Sequence, residues 1–206
     1  MPRIPAYLMS IMLLLPAASH AAGASGQDEA TLEQRRAGAR EVTETLFNEL
    51  SSELKAAMKE GGPKAAIRVC RDRAPAIKSR LSRETGWKIS RVGTRVRNPL
   101  LGMPDGRESE ILARFQRQLD EGADMQDLEY SGVENAGDTR YFRYMRAIEV
   151  KAQCLGCHGP KDQQPAAIRE QLEKEYPRDQ AVGYQAGDLR GAFSVIQNME
   201  HPYNEP

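Results

Sequence analysis

The chain has 206 residues, with 29 Lys plus Arg balanced by 29 Asp plus Glu, three cysteines and three histidines. A neutral balance excludes nucleic acid and anionic membrane surfaces as expected partners, because both are recognised through an excess of basic charge. The length suits one domain with a real core, and no internal repeat or long low-complexity tract divides it.

Residues 1–21 read as a secretory signal peptide: Arg3, an apolar run from Leu8 to Leu15, and small residues at Ser19 and Ala21 before the cleavage point. The run is too short to span a bilayer, and no later segment approaches the roughly eighteen apolar residues a span requires. The processed chain is therefore expected to be soluble, without membrane insertion, and periplasmic if the source is a Gram-negative bacterium. No cysteine lies near the cleavage point, which argues against a lipid-anchored protein. Residues 22–30 read as a flexible leader, 31–198 as one domain and 199–206 as a C-terminal tail.

From Ala30 to Lys59 apolar residues recur every three or four positions (Leu32, Ala39, Val42, Leu46, Leu50, Leu54, Ala57), predicting one long amphipathic helix that the Gly-Gly-Pro at 61–63 ends. A second helix opens near Pro63 and places Ile67, Cys70, Ala74, Ile77 and Leu81 on one face. Pro75 kinks or divides it, since proline lacks an amide hydrogen and crowds the preceding turn. Beyond Gly86 the pattern becomes extended: a strand over 87–97, a loop over 98–106, a helix over 109–120 with Ile111, Leu112, Phe115 and Leu119 on one side, then strands over 128–134, 140–150 and 191–197. A helix from Pro165 to Glu175 sits between the last two. Strands that follow one another without crossover helices predict an antiparallel sheet and the α+β class.

Between those last strands lies Cys154-Leu155-Gly156-Cys157-His158. Two thiols at this spacing can add to the two vinyl groups of haem while the following imidazole binds the iron, so C-x-x-C-H is the attachment signature of a c-type haem. A disulfide or a thioredoxin-like pair has the same cysteine spacing but needs no histidine, and the latter requires a βαβ context that is missing here. A zinc site using Cys154, Cys157, Cys70 and a histidine lacks a second paired motif. Export strengthens the haem reading, because c-type haem is assembled outside the cytoplasm.

A second axial ligand is open to several residues. His20 falls in the signal, leaving His158 and His201, and His201 sits in the tail MEHPYNEP, a poor platform. Met103, on a loop, and Met145, on a strand, are the best placed methionines. Cys70 is the third candidate, although a small buried apolar residue on a helix stripe is its plainer reading.

AIRVC (66–70), RVRNP (95–99), CLGCHG (154–159) and YPRDQAVGYQAGDLRGAFSV (176–195), in that order, resemble the PAS-like mono-haem c-type cytochrome domain family. The resemblance covers the chain from about residue 32, and its closing GY-x-x-GD-x-RGAFSV segment is more specific than the haem motif. It implies a PAS-like five-stranded antiparallel sheet with flanking helices, including a long N-terminal helix, and one covalent haem c held between His158 and Cys70. A thiolate ligand donates electron density, so a low reduction potential is expected. Arg95 and Arg97 are candidates for hydrogen bonds to the haem propionates.

No acid, base or nucleophile constellation stands out, which points away from an enzyme; a peroxidase would need a distal acid–base residue. The leading reading is a periplasmic electron-transfer cytochrome with a redox partner protein. The alternative is a redox or gas sensor in which CO, NO or reduction displaces Cys70. No signalling domain follows in this sequence, so a sensory-kinase role does not carry over with the resemblance.

Overall fold

The computed structural model describes residues 21–201, Tyr203 and Pro206, with side chains from Glu29 onward. The stretch read as a signal peptide therefore lies outside the described residues, apart from Ala21. Helix α1 runs Ala21–Arg68, so the stretch expected to be a flexible leader is helical backbone continuous with the rest. The periodicity picks out its buried Ala39, Val42, Leu46 and Leu50, with Leu32 and Leu54 packed at the margin, and Arg35 and Thr43 are buried beside them. Gly62 interrupts the helix with φ 65° and ψ −161°, a conformation open only to glycine, and Pro63 restarts it where a missing amide hydrogen costs nothing.

The second helical segment differs from expectation at its centre. Val69–Arg73 is a π-helix, which passes into helix α2, Ala74–Thr85, through a bond from the Ala74 amide to the Val69 carbonyl. The wider turn accommodates Pro75, whose ring would otherwise crowd the carbonyl of Arg71. The run is thus divided just before Pro75, which sits in the first turn of α2, and the division takes the form of a π-turn. The extra residue also splits the expected common face. Ile67 packs with Ile168, Leu172 and Tyr176, whereas Ala74, Ile77 and Leu81 pack against α1 and the sheet.

Strands β1 (Lys88–Gly93), β2 (Glu129–Ala136), β3 (Thr139–Glu149) and β4 (Leu189–Asn198) form one antiparallel sheet in the order β1-β4-β3-β2. It has four strands, not the five that the family resemblance implies. β1 stops at Gly93 rather than running to Arg97: Thr94 still donates to the Arg190 carbonyl, and beyond it the chain turns away from β4. One face carries Ile89, Phe142, Tyr144, Phe193 and Val195 against α1 and α2. On the other, Val92, Met145 and Ala192 meet Ile111, Leu112 and Phe115 of α4, Gly106–Asp120. Asp105 and Glu108 close a reciprocal capping box at the start of α4. The loop predicted over 98–106 contains a short helix, α3, Pro99–Gly102, capped by the Asn98 side chain. Among the described residues no helix is long and apolar enough to cross a membrane.

The tail is better anchored than its composition suggests. Tyr203 packs on Trp87 with ring centroids 5.7 Å apart, and Arg35 donates to the His201 carbonyl at 3.3 Å.

Gly191, at φ 150°, opens the run of β4. A Cβ there would stand 2.0 Å from the Val92 carbonyl oxygen. Gly191→Ala is expected to lower stability by on the order of 3 kcal/mol, read from the urea midpoint at unchanged slope. An unaltered midpoint would contradict the close approach of β1 and β4 at this point.

Candidate functional site

Three loops meet at one end of the sheet: residues 94–98 after β1, 150–165 after β3, and 176–188 before β4. Backbone bonds stitch them together: Gln180 to Val96 (2.9 Å), Tyr184 to His158 (3.0 Å), Gly183 to Gly159 (2.9 Å) and Gly187 to Val150 (2.8 Å). The cysteine motif forms a 3-10 turn, Ala152–Cys154, running into a single helical turn, α5, Leu155–His158. That turn is wedged between two apolar clusters. Cys154 and Leu155 pack on Val150, Ala181 and Tyr184; Cys157 packs on Ile67, Ile168, Leu172 and Tyr176. The Ile168 and Leu172 side chains come from α6, Ala166–Glu175.

His158 is fixed in one orientation. Its Nδ1 lies 2.7 Å from the Ala181 carbonyl oxygen, which can only accept, so the proton sits on Nδ1. The 3.3 Å approach of Arg97 Nη2 to the same nitrogen therefore joins two donors and is a close contact rather than a hydrogen bond. Among the described residues nothing is hydrogen-bonded to Nε2, whose lone pair is left available. Burial foremost, and then the charges of Arg97, Arg190 and Arg91, hold the imidazole well below its ordinary proton affinity. A neutral ring with Nδ1–H donated to a carbonyl and Nε2 open is the state a metal-binding histidine requires.

Asp179 holds this arrangement in place. Its Oδ1 accepts from the Ala181 amide at 2.7 Å, and its Oδ2 pairs with Arg97 Nε at 3.0 Å. Both side chains are about nine-tenths buried, at 10% and 9% exposure. Arg97 Nη2 continues to the Cys157 carbonyl at 2.6 Å, and Gln164 reaches the same oxygen at 3.2 Å. A buried ion pair offsets its desolvation only when further hydrogen bonds satisfy both partners, and here they do.

Cys70, Cys154 and Cys157 are all free. Burial pushes the Cys157 thiol up, Arg97 opposes, and the nearby Cys70 and Cys154 add to the rise. Cys70 sits in the π-helix, partly exposed, and belongs to none of the hydrophobic clusters. It is electrostatically felt by both Cys157 and Tyr176, so the fold brings it to the motif although more than eighty residues separate them in sequence. Among the described residues no three His, Cys, Asp or Glu side chains converge as a metal-ion cluster, which leaves the zinc reading without a donor set.

Other sequence candidates are dispersed. Met145 is fully buried beneath α4, and Met103 is 60% exposed after α3. His201 lies beyond the far end of β4, a strand roughly 30 Å long. Arg95 and Arg97 are on the loop after β1, not on a strand: Arg95 donates to the Val182 carbonyl at 2.6 Å and lies over the Tyr184 ring, while Arg97 is committed to Asp179 and Cys157. Asp179, Tyr184 and Arg190, which sequence reasoning did not single out, all fall within the 176–195 segment. That segment's specificity was the available signal.

The Tll0287-like family (Tll0287) matches residues 22–198, and the chain belongs to it. A solved structure described as the cyanobacterial heme-protein Tll0287 matches with a TM-score of 0.56 and 23% identity, over 76% of this chain and 92% of that one; at this identity the likeness is one of fold. No curated protein matches the chain.

Asp179→Ala would strand Arg97 and release Ala181. A loss of about 3 kcal/mol is expected in chemical denaturation, the range for breaking one side of a buried pair. A change within the scatter of surface substitutions would remove Asp179 from the role assigned to it.

Proposed function

We propose that this member of the Tll0287-like family carries one haem c, joined through Cys154 and Cys157, with His158 and Cys70 as ligands to its iron. The observation that carries the reading is the Nδ1–H of His158 held by Ala181 at 2.7 Å, with Nε2 unpartnered on the residue that follows two free, correctly spaced thiols. Each thioether forms by adding S–H across a vinyl group, sulfur to one carbon and hydrogen to the other. No oxidant is needed, and the thiols must be free. The fold shared with a structure described as a heme-protein supports the same reading.

When bound, the group supplies one-electron chemistry. The chain's own part is to orient the imidazole, shield the proximal side with the Tyr176 and Tyr184 clusters, and present Cys70 from the π-turn. The absence of an acid–base constellation in the sequence favours an electron carrier over an enzyme, and the signal peptide favours the periplasm, where a redox partner protein would be met. The PAS-like assignment belongs to the same proposal.

A sensor is the second reading, favoured by the setting of Cys70. A π-turn is a strained, locally weak stretch of helix, and a cysteine outside every apolar cluster can leave the iron without opening the core.

Expression alongside a c-type maturation system is expected to give a Soret band and a mass raised by one haem. Cys70→Ala should keep the covalent haem and lose a low-spin thiolate signature. A bare-chain mass would sink the proposal; a mutant spectrum identical to the parent would return Cys70 to a structural role. Rapid CO binding by the reduced protein, with loss of the thiolate spectrum, would favour the sensor, and indifference to CO the carrier.

A further inference from the structure

We infer that Arg190, with Arg91 beside it, holds the carboxylates of the haem propionates. The inference rests on the haem reading above and deepens it. Arg190 belongs to the GD-x-RG segment and stands one aromatic ring away from the proximal histidine: its Cζ lies 5.3 Å from the Tyr184 centroid, and Tyr184 meets the His158 ring edge-on at 6.2 Å.

Its hydrogen bonding is incomplete. Nη1 donates to the Arg95 carbonyl at 3.0 Å. Nε and Nη2 have no acceptor among the described residues, and no carboxylate there is ion-paired with Arg190 or Arg91. By contrast Arg40, Arg71, Arg73, Arg80, Arg107 and Arg143 all have acidic partners. Burial is the largest influence on the Arg190 guanidinium; Tyr184 and, more weakly, Asp179 favour its charge, while Arg91 and Arg97 add repulsion. A half-buried guanidinium with two donor groups free is placed to take an anion.

Glycines let the Arg190 side chain and the two strands pack closely here. A Cβ on Gly93 would stand 2.7 Å from Arg190 Nη1, and Gly191 has no room for one at all. Charge matches as well. Asp179 is ion-paired with Arg97, which leaves Arg190 and Arg91 as the charges felt by His158 that have no ion-pair partner among the described residues, and a haem brings two carboxylates. The planar guanidinium fork suits a carboxylate better than any other side chain. Of the candidates from the sequence, Arg97 is already committed to Asp179 and the Cys157 carbonyl. Arg95, like Arg190, has one bond to a carbonyl, so the difference in favour of Arg190 is its place behind Tyr184 and His158.

The test uses the haem-loaded protein and its Arg190→Gln, Arg91→Gln and Arg190→Lys variants, read by resonance Raman of the propionate bending bands and by redox titration. Arg190→Gln should shift a propionate band and lower the midpoint potential. The expected change is several-fold in the reduced-to-oxidised ratio at fixed ambient potential, where tenfold corresponds to about 59 mV for one electron. Arg190→Lys should hold the potential closer to the parent while still shifting the band, because charge is kept and the fork is lost. Unchanged bands and potentials in both glutamine variants, at parental haem content, would overturn the inference and leave haem binding standing. A parent protein without haem would overturn both. If Arg190→Gln does not accumulate, the Raman band of Arg190→Lys decides alone.

Discussion

A proton held on His158 Nδ1 by the carbonyl of Ala181 decides what this end of the molecule can do. With the proton there, the opposite nitrogen is a lone-pair donor, and the ring cannot rotate without losing a buried hydrogen bond. The carbonyl is itself held from behind, since Asp179 grips the Ala181 amide and is gripped by Arg97, which also steadies the Cys157 carbonyl. Removing any member leaves a buried charge or a buried carbonyl without its partner. That cost, more than the area of the small clusters nearby, is what makes the histidine rigid.

The sheet matters because it gathers the pieces. Antiparallel order β1-β4-β3-β2 puts the end of β1, the end of β3 and the beginning of β4 side by side, so the three loops that supply Arg97, the cysteine motif and Asp179 are neighbours by construction. Gly191 lets β1 and β4 approach where a side chain would hold them apart. The π-turn makes the complementary adjustment on the helical side. It directs Ile67 towards α6 and releases Cys70 from the core stripe, at the cost of poorer helical bonding.

Sequence periodicity made α1, α4, α6 and four strands legible, because each buries one face and its apolar spacing records that face. Glycine and proline marked the break at Gly62 for the same local reason. The π-turn was not legible: the 67–81 spacing fits an unbroken helix equally well, and what selects the wider turn is Pro75 together with the separate packing of Ile67. The fifth strand came from family resemblance alone, and the chain itself shows an extended pattern only four times. At the site, C-x-x-C-H could be read directly because its chemistry is contiguous. Asp179 and Arg190 could not, since an acid in a loop or an arginine at the start of a strand acquires meaning only from partners such as Arg97 and Tyr184, more than eighty residues earlier or close by in the fold.

The electrostatics of the site run in two opposed directions, and the opposition is itself informative. Burial and three arginines disfavour a second proton on His158, while burial disfavours a thiolate at Cys157. Both effects keep these groups neutral, which suits an imidazole that must donate a lone pair and thiols that must stay unreacted until they are joined to a cofactor. Arg190 and Arg91 do not fit that scheme, because neither is ion-paired with a carboxylate among the described residues. A thiolate ligand would pull the reduction potential of an iron down, and two nearby guanidiniums would push it up unless carboxylates met them first. On the proposed reading, the same pair of arginines would govern both how a haem is seated and how far the potential could depart from the low value that a cysteine ligand alone would set.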